Sequence, residues 1–316
     1  MSEADPIICK MSSIEQWSDL PCELLSQIAD RLELIEFLSF QGVCKDWRSA
    51  SPKTSSEEKC RSEPWFLIYG EGSKCSLLSN KDKSYTIELP ELDGATCLAS
   101  YKGWLLLFSN GSMFFFCPFS KARIDVPNCP FSELSDHVAA FSSAPTSKDC
   151  IIGVVSRKSD KELELHMLLK GSNKWSNIIY RHATLNTISA ALIHDGEFNF
   201  LDKFDGLVMF GISGKKSKEW KKYTLVSSTA STKGISRLGY HIREDNFASK
   251  DMRRKLGLES NVTIAICGTF FTIDEKNILI HGERIEAEEG GSEIGPHLKG
   301  VWIQPRYFEA SPNQSW

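Results

Sequence analysis

No apolar run in this chain approaches the ~18 residues that a membrane-crossing helix needs, and the opening Met1-Ser-Glu-Ala-Asp-Pro6 lacks the basic start and apolar centre of a secretory signal. The expectation is an intracellular protein, cytoplasmic or nuclear or both, with no membrane partner. Excess charge is also missing. Thirty-seven Lys and Arg against 41 Asp and Glu leave a formal net charge of −4, so there is no global basic field to draw in nucleic acid. The ten cysteines contain no Cys-x-x-Cys pair and lie scattered from Cys9 to Cys267, which removes the common structural zinc sites. In a reducing compartment they read as small apolar residues with thiols. The seven histidines form no His-Glu-x-x-His. Gly211-Ile-Ser-Gly is not a nucleophile elbow, and its continuation to Ser217 lacks phosphate-loop spacing. No catalytic, cofactor or metal site is therefore expected.

The polar clusters that remain have plain readings. Asp195, Asp202 and Asp205 fall in the wrong order for a calcium loop, and Asp-Gly at both ends is turn chemistry. Lys215 to Lys222 reads as a solvated hairpin tip, and Arg253-Arg-Lys255 as the polar face of a short helical insertion around Ser249 to Leu256, in preference to nucleic-acid contact or a nuclear import signal. The acidic tract Glu283 to Glu293, with Gly290-Gly291, reads as a mobile loop, with a recognition loop as the alternative.

What the chain does have begins at Trp17. Pro21 suits the first turn of a helix, where its missing N–H costs nothing, with Ser18 or Asp19 as cap. Leu24, Leu25, Ile28 and Leu32 then fall along one stripe at 3.6 residues per turn. After a break near Leu34 to Glu36, a second helical stretch carries Phe37, Leu38, Phe40, Val43, Cys44 and Trp47. Two or three short helices are implied. About 35 residues bury too little to be stable alone, so the apolar surface has to meet something else, and another protein is expected.

These residues carry a resemblance. Leu20-Pro21, Glu23-Leu24-Leu25, Ile28, Leu32, Glu36-Phe37-Leu38, Val43-Cys44-Lys45 and Trp47-Arg48 resemble the F-box motif, in register and without a gap. Glu36 stands where many members have Asp, and Ala29 where many have a larger aliphatic residue. The resemblance implies docking on a Skp-type adaptor and, through it, a cullin scaffold and a ubiquitin-conjugating enzyme. The residues it singles out are Leu20, Pro21, Leu24, Leu25, Ile28, Leu32, Phe37, Leu38, Val43 and Trp47. Some of these must form the module's own core, and sequence does not divide them.

Downstream of a polar stretch at residues 52–63, the texture changes to short strand-like runs bounded by Gly, Asn, Asp, Ser or Pro. They run from Trp65–Tyr69 through Ile278–Ile280. Tyr101-Lys-Gly-Trp-Leu-Leu-Leu-Phe and His194-Asp-Gly-Glu-Phe-Asn-Phe-Leu share a turn-then-aromatic-strand pattern. Their glycines lie 93 residues apart (196 − 103), about two units of the ~40 to 45 residues typical of a four-stranded propeller blade. Gly300-Val-Trp-Ile-Gln-Pro305 is the strand expected to close the ring by completing the blade begun at Trp65. Residues 64–127 also resemble the start of the propeller in plant F-box proteins of the kelch-related kind, through Pro90-Glu-Leu, Lys102-Gly-Trp-Leu, Cys117-Pro-Phe-Ser-Lys and Ile124-Asp-Val-Pro.

The expected fold is thus α+β and multidomain: a small all-α F-box module, then an all-β propeller of five or six blades, with a large β-sandwich as alternative. The expected segments are a disordered 1–16, the F-box at 17–51, a linker at 52–63, the propeller at 64–306 and a tail at 307–316. The expected function is a noncatalytic substrate receptor of a cullin-type ubiquitin ligase, recruiting an unknown protein target. A scaffold that binds the adaptor without ligase activity shares every feature used. A propeller enzyme would need acids, histidines or a cofactor site converging on the channel, and no motif for one is present.

Overall fold

The computed structural model describes residues 20–51, 64–79, 83–135, 137–181, 188–194, 196–202, 206–212, 220–224, 263–267, 269–271, 278–280, 284–285, 297–308 and 315–316. Ser18, Asp19, the acidic tract outside Arg284–Ile285, the 253–255 basic run and most of the lysine stretch lie outside them, as do Asp195 and Asp205. The chain divides into two compact units, Met1–Lys59 and Cys60–Trp316.

The described part of the first unit is helical: α1 (Cys22–Arg31), α2 (Leu34–Val43) and α3 (Lys45–Ala50). Two boundaries differ from expectation. Pro21 precedes α1 as its N-cap, and its carbonyl accepts the Leu24 and Leu25 N–H groups at 3.0 and 3.1 Å. The break between α1 and α2 falls at Leu32–Glu33, not at 34 to 36. Glu33 caps α2 through a reciprocal box in which the Glu36 carboxylate accepts the Glu33 N–H at 3.1 Å. Extended Cys44 (φ −160°, ψ 177°) then separates α2 from α3.

The second unit is built from β-sheets whose strands pair antiparallel, except where β16 and β20 of the six-stranded sheet run parallel. Strands β1 (Trp65–Tyr69), β2 (Lys74–Leu78) and β3 (Ser84–Glu88) open it. Three four-stranded meanders follow: β4 (Thr96–Tyr101) to β7 (Ala122–Val126) through β5 (Trp104–Ser109) and β6 (Ser112–Cys117); β8 (Val138–Phe141), β9 (Ile151–Ser159), β10 (Glu162–Leu169) and β11 (Ser176–Arg181); and β12 (Ile188–His194), β13 (Glu197–Asp202), β14 (Gly206–Gly211) and β15 (Trp220–Thr224). The strands β16 (Thr263–Cys267), β17 (Thr269–Phe271), β18 (Ile278–Ile280), β19 (Arg284–Ile285) and β20 (His297–Ile303) complete five sheets among the described residues. Strands β4, β8 and β12 neighbour one another in turn, with β20 beside β4. Separate four-stranded sheets arranged around first strands make a propeller, not two facing sheets of a sandwich.

Closure comes from the far end of the chain. Strand β20 pairs antiparallel with β1, Trp65 opposite Ile303 and Leu67 opposite Val301, so one sheet joins residues more than 200 apart. The ladder stops before Pro305, which has no N–H to give. Lys299 extends from β20 and donates to the Ala95 carbonyl at 2.7 Å and the Thr96 hydroxyl at 2.9 Å, tying the closing strand to the next blade. At the bulge between Cys97 and Ala99 the Cys97 N–H donates to the Tyr69 hydroxyl at 2.9 Å, linking the same two blades. Gly103 and Gly196 both sit in the turn after a blade's first strand, at φ +82° and +72°, two blades apart, which accounts for their spacing.

Packing between blades is aromatic. Trp220 of β15 meets Phe210, Tyr180 and Phe200 at 4.7, 4.9 and 6.1 Å, joining the third and fourth sheets. Gly153 of β9 lets those sheets approach closely: a Cβ there would lie 2.6 Å from the Phe198 ring. The chain past β20 also packs on the propeller. Phe308 contacts Trp104 at 5.4 Å, and the Arg306 carbonyl accepts from the Cys117 thiol at 3.4 Å.

Candidate protein-docking site

The helical module has a core and a surplus. Leu25, Ala29, Phe37, Phe40 and Ala50 are buried, with Leu20, Leu32 and Trp47 packed against them. The Phe40 and Trp47 rings lie 4.5 Å apart, bridging α2 and α3. Side chains bond the short helices together: the Ser26 hydroxyl donates to the Ala50 carbonyl at 2.6 Å, and Arg48 Nε to the Gln41 carbonyl at 3.2 Å. Glu23 in the first turn of α1 and Arg31 in the last complement the helix dipole.

The apolar stripe of α1 is wider than this core can cover. At 100° per residue, Leu25 and Ala29 lie on the buried side, while Leu24 and Ile28 share the adjoining edge one turn apart, with exposed Pro21 at the cap of the same helix. Leu24 is 45% exposed and Ile28 39% exposed. Val43 at the end of α2 is 57% exposed. These three and Leu169 are the exposed large aliphatics among the described residues. Leaving about half of each such side chain in water on a module this small forgoes roughly 1 kcal/mol apiece in burial.

The ten residues singled out from sequence therefore separate. Leu25 and Phe37 are core; Leu20, Leu32 and Trp47 are half-buried against it; Leu38 is half-buried; Pro21, Leu24, Ile28 and Val43 face solvent. Sequence periodicity placed α1's residues on one stripe but could not say where the core's coverage ended. That limit is set by what α2 and α3 reach.

Three buried thiols are held in their protonated form. Burial pushes Cys75 and Cys150 up to about 11, and it raises the fully enclosed Cys117 as well, the reverse of an activated nucleophile. In the native protein at pH 8, iodoacetamide is expected to modify exposed Cys22 while sparing these three, checked by peptide mass mapping. Because the folded protein holds these protons more tightly than the unfolded chain does, their contribution to stability is full at neutral pH and lost as pH rises from about 9 through 11. Among the described residues no three His, Cys, Asp or Glu side chains gather as metal ligands, and no helix is long and apolar enough to cross a membrane. His166 sits in β10, its pKa lowered by burial and partly restored by Glu164 at 3.6 Å.

Comparison with known families agrees with both units. Residues 75–279, well over half the chain, match the family model described as KIB1-4 beta-propeller. The chain belongs to the KIB1-4 beta-propeller family. Residues 17–56 match the F-box domain, the segment that holds α1 to α3. Relatives in Arabidopsis thaliana include F-box protein At3g56470, 26% identical over 199 residues, covering 61% of this chain and 53% of the relative. F-box/kelch-repeat protein At1g57790 is 31% identical over 167 residues, covering 51% and 46%. F-box protein At4g12382 is 31% identical over 128 residues, covering 39% of this chain and 89% of the relative. The chain thus spans about half the length of the first two. The chain thus joins an F-box to a KIB1-4 propeller, and Glu36, the departure noted in the motif, is the residue that closes the α2 capping box in this F-box protein.

Proposed function

We propose that this F-box protein is the substrate receptor of a cullin-type ubiquitin ligase. Its F-box would dock on a Skp-type adaptor through Pro21, Leu24, Ile28 and Val43, with Leu38 at the margin. The observation that carries this reading is the uncovered aliphatic edge of α1 on an otherwise packed module. Contiguous exposed aliphatics of this kind mark partner surfaces. Leu25, Phe37, Leu20, Leu32 and Trp47 act indirectly, by holding that edge in shape.

The chain supplies no catalysis in this scheme. The adaptor and cullin bring a charged conjugating enzyme, the propeller holds the target, and ubiquitin transfer to a target lysine becomes nearly intramolecular, with the rate gain that effective concentration confers. The site of action is the cytoplasm, the nucleus or both.

The test has two arms. Co-expression of the full chain with a Skp-type adaptor should give a complex of one copy each by size-exclusion chromatography. Adding cullin, RING subunit and conjugating enzyme should then ubiquitinate a protein that co-purifies with the propeller. Absence of a complex with well-folded chain would overturn adaptor docking. A complex that never promotes transfer to any co-purified protein would leave a scaffold.

A further inference from the structure

Ser315 and Trp316 belong to no strand, yet they are seated on the propeller. The Trp316 indole stacks on Phe115 of β6, ring centroids 5.3 Å apart and planes 19° from parallel. Lys170, in the turn after β10, places its ammonium 4.8 Å from the centre of the same indole. That ammonium also donates to the Ser315 carbonyl at 2.8 Å. Behind the stack, Phe141 of β8 meets Phe115 edge-on at 5.0 Å. The seat is therefore built by two neighbouring blades, with Phe115 as its floor and Lys170 as its clamp.

This arrangement reads two features of a peptide at once. The flat wall accepts an aromatic ring, and a single cation engages both that ring and the carbonyl of the residue before it. The indole N–H is buried with no acceptor among the described residues. The contacts that hold the occupant are thus to the flat face of its ring and to the preceding carbonyl.

We propose that this seat is an exchangeable recognition site for a peptide segment bearing an aromatic side chain, occupied in cis by Ser315–Trp316 until a target's aromatic residue displaces them. The proposal rests on the reading of the propeller as the target-binding unit. One ring stack and one lysine are individually weak contacts. A tethered segment holds its seat through effective concentration, and an incoming segment wins by adding contacts of its own.

The probe is a fluorescein-labelled hexapeptide, Ser-Pro-Asn-Gln-Ser-Trp, matching residues 311–316 and amide-capped, with an alanine-ended peptide as control. Fluorescence polarisation is read on the full chain as wild type, Trp316→Ala, and Trp316→Ala with Lys170→Met. Trp316→Ala is expected to bind the peptide at least about tenfold more tightly than wild type, since its seat is empty. The added Lys170→Met and the alanine-ended peptide are each expected to remove that gain. Equal binding by all three proteins, or none by a folded Trp316→Ala chain, would overturn the proposal. So would failure of Trp316→Ala to fold, seen as loss of β-sheet circular dichroism, because an occupant required for folding is not exchangeable. No adaptor is present in the assay, so its outcome is separate from that of F-box docking.

Discussion

Replacing Leu24 and Ile28 together by alanine is expected to abolish capture of a Skp-type adaptor while leaving the helical module folded. Both side chains are more than a third exposed, so truncation removes little that the free protein has buried, and a stability change within about 0.5 kcal/mol per residue is expected. In a complex the same side chains would be central aliphatic anchors, where truncation commonly costs ~2 kcal/mol or more, about 30-fold in affinity. Leu25→Ala is the contrast. Leu25 is fully buried, and its truncation is expected to cost ~2 to 5 kcal/mol, unfolding so small a module and removing binding together with the helical signal. Isothermal titration with adaptor, paired with thermal melts followed at 222 nm, separates the two effects. Undiminished binding by the Leu24→Ala, Ile28→Ala protein would show that α1's open edge is not the contact.

The second large effect concerns ring closure. Val301 lies in β20 opposite Leu67, and both are fully buried. Val301→Asp puts a carboxylate into a fully buried position of the closing strand, opposite Leu67. The penalty for an unpaired buried charge is several kcal/mol, comparable with the whole stability of a typical domain. Loss of the cooperative β-sheet transition is expected for the aspartate. Val301→Ala, which removes only two methyl groups, is expected to retain that transition at a lower denaturant midpoint. Chemical denaturation followed by tryptophan fluorescence reads both. A Val301→Asp protein that unfolds at the same denaturant concentration as wild type would show that the propeller holds without its closing strand.

Much of the second unit was readable from pattern. Runs such as Trp65–Tyr69 and Ala122–Val126 appear as strands with the expected bounds, because bulky and β-branched residues between turn signals report themselves. Besides two-residue β19, which lies in the acidic tract read as a loop and pairs with β16, three strands gave no such signal: β4, β8 and β12, each the first strand of a meander. Their sequences, Thr-Cys-Leu-Ala-Ser-Tyr, Val-Ala-Ala-Phe and Ile-Ser-Ala-Ala-Leu-Ile-His, are rich in small residues. Neighbouring first strands crowd one another in a propeller, so small side chains are selected there at the expense of β-propensity. The composition that fits them to the ring is what hides them from a propensity reading.

In the helical module the pattern located α1's stripe, yet the helix boundaries moved by one to three residues. The Glu33–Glu36 box explains one shift: a capping interaction between two glutamates is a local bond that periodicity does not weigh. Pro21 explains the other, since a residue without an N–H costs as little just before the first turn as within it.

By itself, then, the amino-acid order determined the class of each unit, the F-box identity of the first, the two-blade spacing of Gly103 and Gly196, and the strand that closes the ring. These are encoded in local chemistry and in repetition, both of which survive in one dimension. Tertiary structure alone decided which F-box aliphatics are core and which are open, and that Ser315–Trp316 reaches Phe115 and Lys170 from about 145 to 200 positions away. Exposure and long-range seating depend on what other elements cover, and that coverage exists only once the chain has closed on itself.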